Sequence, residues 1–175
     1  KKLKDKILKY VEEIADIIFE AYRKGKQIFI VGNGGSAATA SHFARDLKIG
    51  ATVKGKPRVQ ATSLTDNIAL ITALANDVNY SSIFEQQLVG SLNEGDIVIG
   101  ISVSGNSLNV LRGIEFAQNN GALTIGFIGF NGGKLKDLAH KCIVLSSKDY
   151  GQVEDAHLSL AHIISYLVKE RIASG

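Results

Sequence analysis

The sequence predicts an α/β fold: a doubly wound, five-stranded parallel sheet flanked by helices. Five short runs rich in β-branched and other aliphatic residues occur along the chain, at 28–31, 59–62, 96–102, 123–129 and 141–146. Segments with helical spacing of their apolar residues separate these runs. Strands that are apolar on both faces and alternate with helices are typical of a parallel sheet covered on both sides.

Each connecting segment has the pattern of a helix. Residues 2–24 repeat apolar side chains every three or four positions and lead to Gly25, a residue type that often ends helices. Further helices are predicted at 36–48, 67–92, 107–119, 134–140 and 152–172, with a break near 77–79. Because the apolar stripe of the first helix is wider than one packing face needs, we expect helix 2–24 to contribute to oligomerisation.

The composition limits the class of protein. A chain of 175 residues, 45% hydrophobic and 21% charged, is long enough for one domain with its own core, and we predict a single domain over residues 1–175. The net charge of +3 and the scattered basic residues argue against a nucleic-acid partner. No apolar run approaches the roughly 20 residues of a membrane span, and the charged N-terminal segment does not read as a secretory signal. The single cysteine, Cys142, lies in an apolar run, and we expect it in the core of a cytoplasmic protein.

Two loops that follow predicted strands have the composition of an anion site. Residues 32–36 follow the first strand as GNGGS, and residues 102–107 belong to SVSGNS at the end of the third. Glycine allows the backbone to approach a ligand closely, and the N-terminus of the following helix offers free N–H groups. Tight turns explain either loop alone, but two such loops at the carboxyl edge of one sheet favour a small phosphorylated ligand. Neither loop matches the dinucleotide or nucleoside triphosphate motif.

Four side chains on two predicted helices could hold a metal ion or transfer a proton. His42 and Asp46 are one helical turn apart and share a face. Glu154 and His162 are two turns apart, about 12 Å along the helix axis, and could reach one ion between them. His157 lies about 140° around that helix from His162, off the same face. Imidazole and carboxylate groups suit zinc, but a surface His–Asp pair and buried interface histidines remain alternatives.

Longer blocks of the sequence resemble the phosphoheptose isomerases, the sedoheptulose 7-phosphate isomerases of the sugar isomerase (SIS) domain superfamily. The blocks are, in order, GNGGSAATASHFARDL, ITALANDVNYSSIF, GDIVIGISVSGNSLNVL, GFIGFNGGKLKDLA and VEDAHLSLAHIISYLVKE, and they cover nearly the whole chain. The resemblance implies an SIS-type sandwich and a homotetramer with active sites at subunit boundaries. It also implies interconversion of sedoheptulose 7-phosphate and glycero-manno-heptose 7-phosphate through an enediol(ate), in heptose supply for lipopolysaccharide or capsule.

The resemblance also implies roles for individual residues. It places substrate at Asn33, Gly34, Gly35, Ser36, Asp46, Asn76, Asp77, Ser102, Val103, Ser104, Ser107 and Glu154. It implies one zinc ion per subunit on His42, Asp46, Glu154 and His162, and catalysis by Asp46, Glu154 and His162.

Four residues depart from the family's pattern. Asp46 stands for a glutamate, Glu154 for a glutamine, Val103 for a threonine and Gly151 for an aspartate. These departures leave two alternatives open, an isomerase of a different sugar phosphate and a non-catalytic phosphosugar-binding regulator.

Overall fold

A computed structural model describes the backbone of residues 2–175 and the side chains from residue 7 onward, and it contains the predicted parallel sheet. The strands are β1 Gln27–Gly32, β2 Gln60–Ser63, β3 Ile97–Ser102, β4 Leu123–Gly129 and β5 Lys141–Leu145. Their order in space is β2-β1-β3-β4-β5, and every neighbouring pair is parallel. Strand order reverses between β1 and β3, which makes the crevice between their loops the point where such sheets bind ligands.

Helices pack on both faces of this sheet. They are α1 Lys2–Arg23, α2 Gly35–Arg45, α3 Ile68–Asp77, α4 Ile83–Leu88, α5 Leu108–Asn119, α6 Leu135–Leu138 and α7 Tyr150–Ser174. The predicted break in segment 67–92 is confirmed, since a 3-10 turn at Tyr80–Ser82 separates α3 from α4. Among the helices described, none is both long and apolar enough to cross a membrane.

Two predicted helices differ from the structure at their ends. Segment 36–48 is α-helical only to Arg45 and then widens into a π-helical turn over Asp46–Gly50. Segment 134–140 forms a helix of only four residues, with Leu135 as its one buried side chain. Local apolar spacing cannot foresee either change, because both depend on how the chain packs against the sheet.

Each face of the sheet has its own apolar core. On one face α1, α2 and α7 cover the strands, and Ile14, Phe43, Phe127 and Ile164 are fully buried there. On the other face α4 and α5 do the same with residues such as Phe84. The apolar stripe of α1 is therefore largely used inside the subunit, although its first residues, Leu3 included, have side chains outside the described part of the chain.

Cys142 is not the fully buried core residue that its apolar run predicted. Its side chain is only partly buried, because β5 is the edge strand of the sheet and leaves one flank uncovered. The burial that remains still raises the pKa of the Cys142 thiol to about 11, so the thiol stays protonated and is a weak nucleophile.

Candidate active site

The two glycine- and serine-rich loops meet at the crevice between β1 and β3. Asn33, in the loop after β1, and Asn109, in the first turn of α5, form a reciprocal pair of carboxamides. Each Nδ2 donates to the other residue's Oδ1 at 2.8 Å. This pair joins the two loops, so they form one surface at the carboxyl edge of the sheet.

The loop between β1 and α2 brings backbone rather than side chains to that surface. A Cβ at Gly32 would lie 2.6 Å from the carbonyl oxygen of Ser36, so only glycine lets the strand turn this sharply into the helix. Gly34 has a φ of 55°, a left-handed conformation that favours glycine. Among the described residues, no side chain caps the N-terminus of α2. Its first N–H groups are therefore available to an anion.

The loop between β3 and α5 is held in shape by its own hydroxyls. Ser102 is buried, accepts a hydrogen bond from the Gly105 amide at 3.1 Å, and donates to the Ser107 hydroxyl at 3.3 Å. Ser104 accepts from the Asn106 amide at 3.2 Å. Gly105 has a φ of 66°. The result is a rigid turn that presents hydroxyls and the N-terminus of α5 on one side.

Val103 does not present its side chain to this surface. The side chain is only 5% exposed, and its carbonyl oxygen accepts a hydrogen bond from the Gly129 amide at 3.0 Å. Any contact of Val103 with a ligand would therefore involve its backbone N–H.

The 3-10 turn that follows α3 reaches this crevice through one side chain. The Tyr80 hydroxyl donates to Asn33 Oδ1 at 2.9 Å. Asn76 and Asp77 are exposed nearby in sequence, and their side chains bond to each other at 2.8 Å. Within the described residues, no hydrogen bond joins Asn76 or Asp77 to the serine loop, so their predicted sugar contacts stay a prediction.

Three of the four predicted metal ligands converge. Asp46 Oδ2 lies 2.7 Å from His162 Nδ1 and 3.5 Å from His42 Nε2, and the two imidazoles meet edge to face with 4.8 Å between ring centroids. The carboxylate of Asp46 is almost fully buried, whereas the two histidine side chains are about half exposed. We call this group the His–Asp–His cluster.

The His–Asp–His cluster has the chemistry of a zinc site. One potential ligand atom from each residue lies within 4.8 Å of the others. Two ligands on one tetrahedral zinc ion are about 3.4 Å apart, given bonds of about 2.1 Å, which is close to the His42–Asp46 distance of 3.5 Å. The shorter His162–Asp46 contact is a direct hydrogen bond that an ion would replace. Two imidazoles and one carboxylate also match the ligand sets that leave a fourth position open.

The other oxygen of Asp46 has a different partner. Arg45 Nη1 donates to Oδ1 at 2.7 Å. Asp46 therefore pairs with a nearby cation through one oxygen, while the other oxygen still faces both histidines.

Glu154 lies elsewhere in the site. Within the described residues it is not part of the His–Asp–His cluster. Its carboxylate packs against the α-carbon of Gly35, at a position where a Cβ on Gly35 would collide with it. This places the carboxylate at the N-terminal end of α2, where the helix dipole favours negative charge. Its predicted role as the fourth metal ligand stays a prediction.

His157 faces away from the cluster, as its helical position predicts. It is fully buried, its ring lies 6.0 Å from that of Phe127, and neither ring nitrogen reaches hydrogen-bonding geometry with any described atom. Burial lowers the pKa of His157 to about 4, and the nearby Ile128 backbone offsets this only in part. The imidazole is therefore neutral at physiological pH and serves as a core residue.

Two residues at the crevice were missed by the sequence analysis, Asn109 and Tyr80. Both lie inside blocks that carry the family resemblance. For Asn109 the available signal was an asparagine between the apolar residues Leu108 and Val110, where a buried carboxamide needs partners.

Comparisons with known proteins identify the family of this chain. The SIS domain family profile matches residues 1–129. A phosphoheptose isomerase from Aquifex aeolicus is 39% identical over 162 residues, 93% of this chain and 84% of that protein. One from Aneurinibacillus thermoaerophilus is 36% identical over 168 residues, 96% of this chain and 84% of that protein. The structure of phosphoheptose isomerase from Neisseria gonorrhoeae superimposes with a TM-score of 0.88 at 25% identity, covering 99% of this chain and 90% of that one. The chain therefore belongs to the phosphoheptose isomerases, a family of SIS-domain isomerases.

Proposed function

We propose that this protein interconverts sedoheptulose 7-phosphate and glycero-manno-heptose 7-phosphate. The observation that supports this best is that a phosphate-type loop and a metal-type cluster border one crevice. Asn33 pairs with Asn109 across the two loops, and Glu154, on the same helix as His162, contacts Gly35. A linear sugar phosphate anchored at one end would thus present its other end to carboxylate and imidazole groups.

The phosphate end of the substrate is assigned to Ser104, Ser107 and the N-terminus of α5. These groups can surround phosphate oxygens with hydroxyl and backbone N–H donors without a lysine or arginine. Each hydrogen bond to a charged oxygen contributes roughly 1.5–3 kcal/mol. Anchoring the phosphate also fixes the distance to C1 and C2, which favours reaction by orientation.

The reacting end is assigned to the His–Asp–His cluster and Glu154. One zinc ion per subunit would be held by His42, Asp46 and His162. The family resemblance adds Glu154 as a fourth ligand. When bound, such an ion supplies a Lewis acid that lowers the energy of negative charge on the substrate's oxygens.

Glu154 is the better candidate for the base. Both oxygens of Asp46 are engaged, one by Arg45 and the other by the histidines, so neither is open to a substrate proton. In this assignment the Glu154 carboxylate takes a proton from C1 of the ketose and returns it to C2. His162 moves the hydroxyl proton from O1 to O2, which completes the aldose.

A homotetramer is part of the proposal. No residue of α3 is buried in the isolated subunit, although the helix is strongly apolar, and Ile68 and Leu70 are 74% and 40% exposed. On α7, Ile163 and Tyr166 are 45% and 62% exposed. Exposed apolar helix faces of this kind mark association surfaces. A cytoplasmic location stays a prediction that rests on the single cysteine.

The test is turnover of a panel of ketose phosphates with five, six and seven carbons. The purified protein is stripped with a chelator, assayed, and assayed again after zinc is added back, and the products are identified by mass and chromatography. We expect the seven-carbon aldose, with activity that depends on added zinc. Turnover of a shorter sugar phosphate alone would show that this shorter sugar phosphate is the substrate. Tight binding without turnover would identify the protein as a regulator.

A further inference from the structure

The carboxamide of Asn109 is held in one orientation by its own helix. The Val110 amide lies in the first turn of α5, where N–H groups have no partner within the helix. It donates to Asn109 Oδ1 at 2.9 Å. Because a backbone N–H needs an acceptor, the oxygen of this carboxamide must face it. Asn109 is 2% exposed, so water cannot substitute for these contacts.

The orientation of Asn109 then determines that of Asn33. Across the pair, Asn109 Oδ1 accepts from the nitrogen of Asn33, and Asn109 Nδ2 donates to the oxygen of Asn33, both at 2.8 Å. The Tyr80 hydroxyl donates a second hydrogen bond to Asn33 Oδ1 at 2.9 Å.

The hydrogen-bonding capacity of Asn33 is therefore almost used up. A carboxamide oxygen has two lone pairs, and here Asn109 and Tyr80 fill both. The nitrogen has two protons, one of which goes to Asn109. One N–H is left, so Asn33 can offer a ligand a single donor and no acceptor.

We propose that Asn109 and Tyr80 are positioning residues that lock Asn33 as a one-proton donor toward the carbonyl oxygen of the substrate. This proposal rests on the proposed isomerase function. The serine loop has its own donors for phosphate, whereas the carbonyl oxygen gains negative charge as the enediolate forms. A donor that is fixed before the reaction stabilises such charge most effectively, because it need not reorient.

The first test is Tyr80→Phe, which removes one hydroxyl from an exposed side chain. We expect kcat to fall about two- to tenfold, the size of one neutral hydrogen bond, while KM changes less than twofold. Thr72→Val is the matched control, because it removes an exposed hydroxyl on α3 that bonds only to the helix's own carbonyl oxygens. A rise in KM at unchanged kcat would overturn the assignment to the carbonyl oxygen.

The second test asks whether the two residues act through Asn33. Tyr80→Phe and Asn109→Ala are each measured in the wild-type and in the Asn33→Ala background. We expect both to lower kcat in the wild type, Asn109→Ala by tenfold or more, and to have little further effect once Asn33 is gone. Equal fold losses of kcat in both backgrounds would show that Tyr80 and Asn109 do not act through Asn33 and have a merely structural role. Since Asn109→Ala also removes the acceptor of the Val110 amide, the exposed Tyr80 variant decides the outcome.

A third measurement does not depend on isomerase activity. Hydrogen exchange of side-chain amides, followed by NMR, should show one protected and one freely exchanging Nδ2 proton on Asn33. Equally fast exchange of both protons, as expected for the exposed Asn119, would overturn the lock. A protected proton in a protein that isomerises no sugar phosphate would instead retain the lock and reject the proposed function.

Discussion

The buried histidine of α7 makes the protein sensitive to acid, and replacing it should remove that sensitivity. His157 is fully buried against Phe127, and both its ring nitrogens lack partners among the described atoms. A charged imidazole at this position would be desolvated and unpaired. The perturbation is His157→Leu, which keeps an apolar side chain of similar volume and has no group that can be protonated.

The size of the effect follows from the lowered pKa. The pKa of His157 is about 4 in the folded protein, against 6.5 for an unperturbed histidine. Because the folded value is depressed, protonation favours the unfolded chain. Stability is retained above pH 6.5 and is lost as the pH falls toward 4. At about 1.4 kcal/mol per pKa unit, the loss is about 3 kcal/mol by pH 4.

The assay is urea denaturation of the wild type and of His157→Leu at pH 7.5, 6, 5 and 4, with chelator present and protein concentration held constant. Carboxylates titrate in both proteins, so the difference between the two free energies of unfolding isolates His157. We expect the variant to gain about 3 kcal/mol on the wild type between pH 7.5 and pH 4. A difference that stays constant within about 0.5 kcal/mol over this range would refute the reasoning, because the ring would then have a partner that stabilises its charge.

Four further outcomes follow from the site. His42→Ala and His162→Ala should each lose bound zinc in elemental analysis of dialysed protein, whereas His157→Leu should keep it; full zinc in either alanine variant would exclude that residue as a ligand. Ser104→Ala should raise KM about tenfold or more with an unchanged circular dichroism spectrum, since it removes a bond to phosphate; an unchanged KM would exclude the cradle. Glu154→Gln should keep zinc but lose turnover, and loss of the metal instead would make Glu154 a ligand. Sedimentation equilibrium at micromolar concentration should give four times the chain mass of 18.7 kDa, and a monomer would contradict the assembly.

The strands and the two anion-type loops were predictable because their signals are local. Apolar runs give a strand's position to within a residue or two, as β2 shows: the run predicted residues 59–62, and the strand covers Gln60–Ser63. Its register is set by pairing with β1, where Gln27 lies opposite Gln60. Val59 is buried but has no pairing partner in β1. Its apolar side chain therefore packs in the core, although the residue lies outside the strand. The loops were found because glycine is required where a strand turns directly into a helix.

The geometry of the site was predictable only in part, because helical spacing gives a shared face but not what that face meets. His42 and Asp46 were correctly placed together, being one turn apart where α2 continues into the π-helical turn. That His162 comes within 2.7 Å of Asp46 depends on how α7 crosses α2, which no local pattern contains. The position of Glu154 was likewise not predictable from helical spacing. It lies eight residues before His162 on α7, and its carboxylate contacts Gly35 and not the His–Asp–His cluster. Asn109 was missed because a buried carboxamide is identified by its partners and not by its neighbours in sequence.

Two carboxylates of this chain, Asp46 and Glu154, depart from the family's pattern, and the two departures complement each other. Asp46 is one methylene shorter than the glutamate that the family's pattern has there, so its carboxylate stays close to α2. There Arg45 holds one oxygen and the histidines approach the other. Both oxygens of the Asp46 carboxylate are therefore engaged. Glu154, in place of a glutamine, adds a second carboxylate next to Gly35 and outside the cluster. The aspartate at 46 is shorter than a glutamate, and the glutamate at 154 adds a carboxylate outside the cluster. Under the proposed assignment, the roles of ligand and base, which one glutamate could combine, would be divided between these two residues.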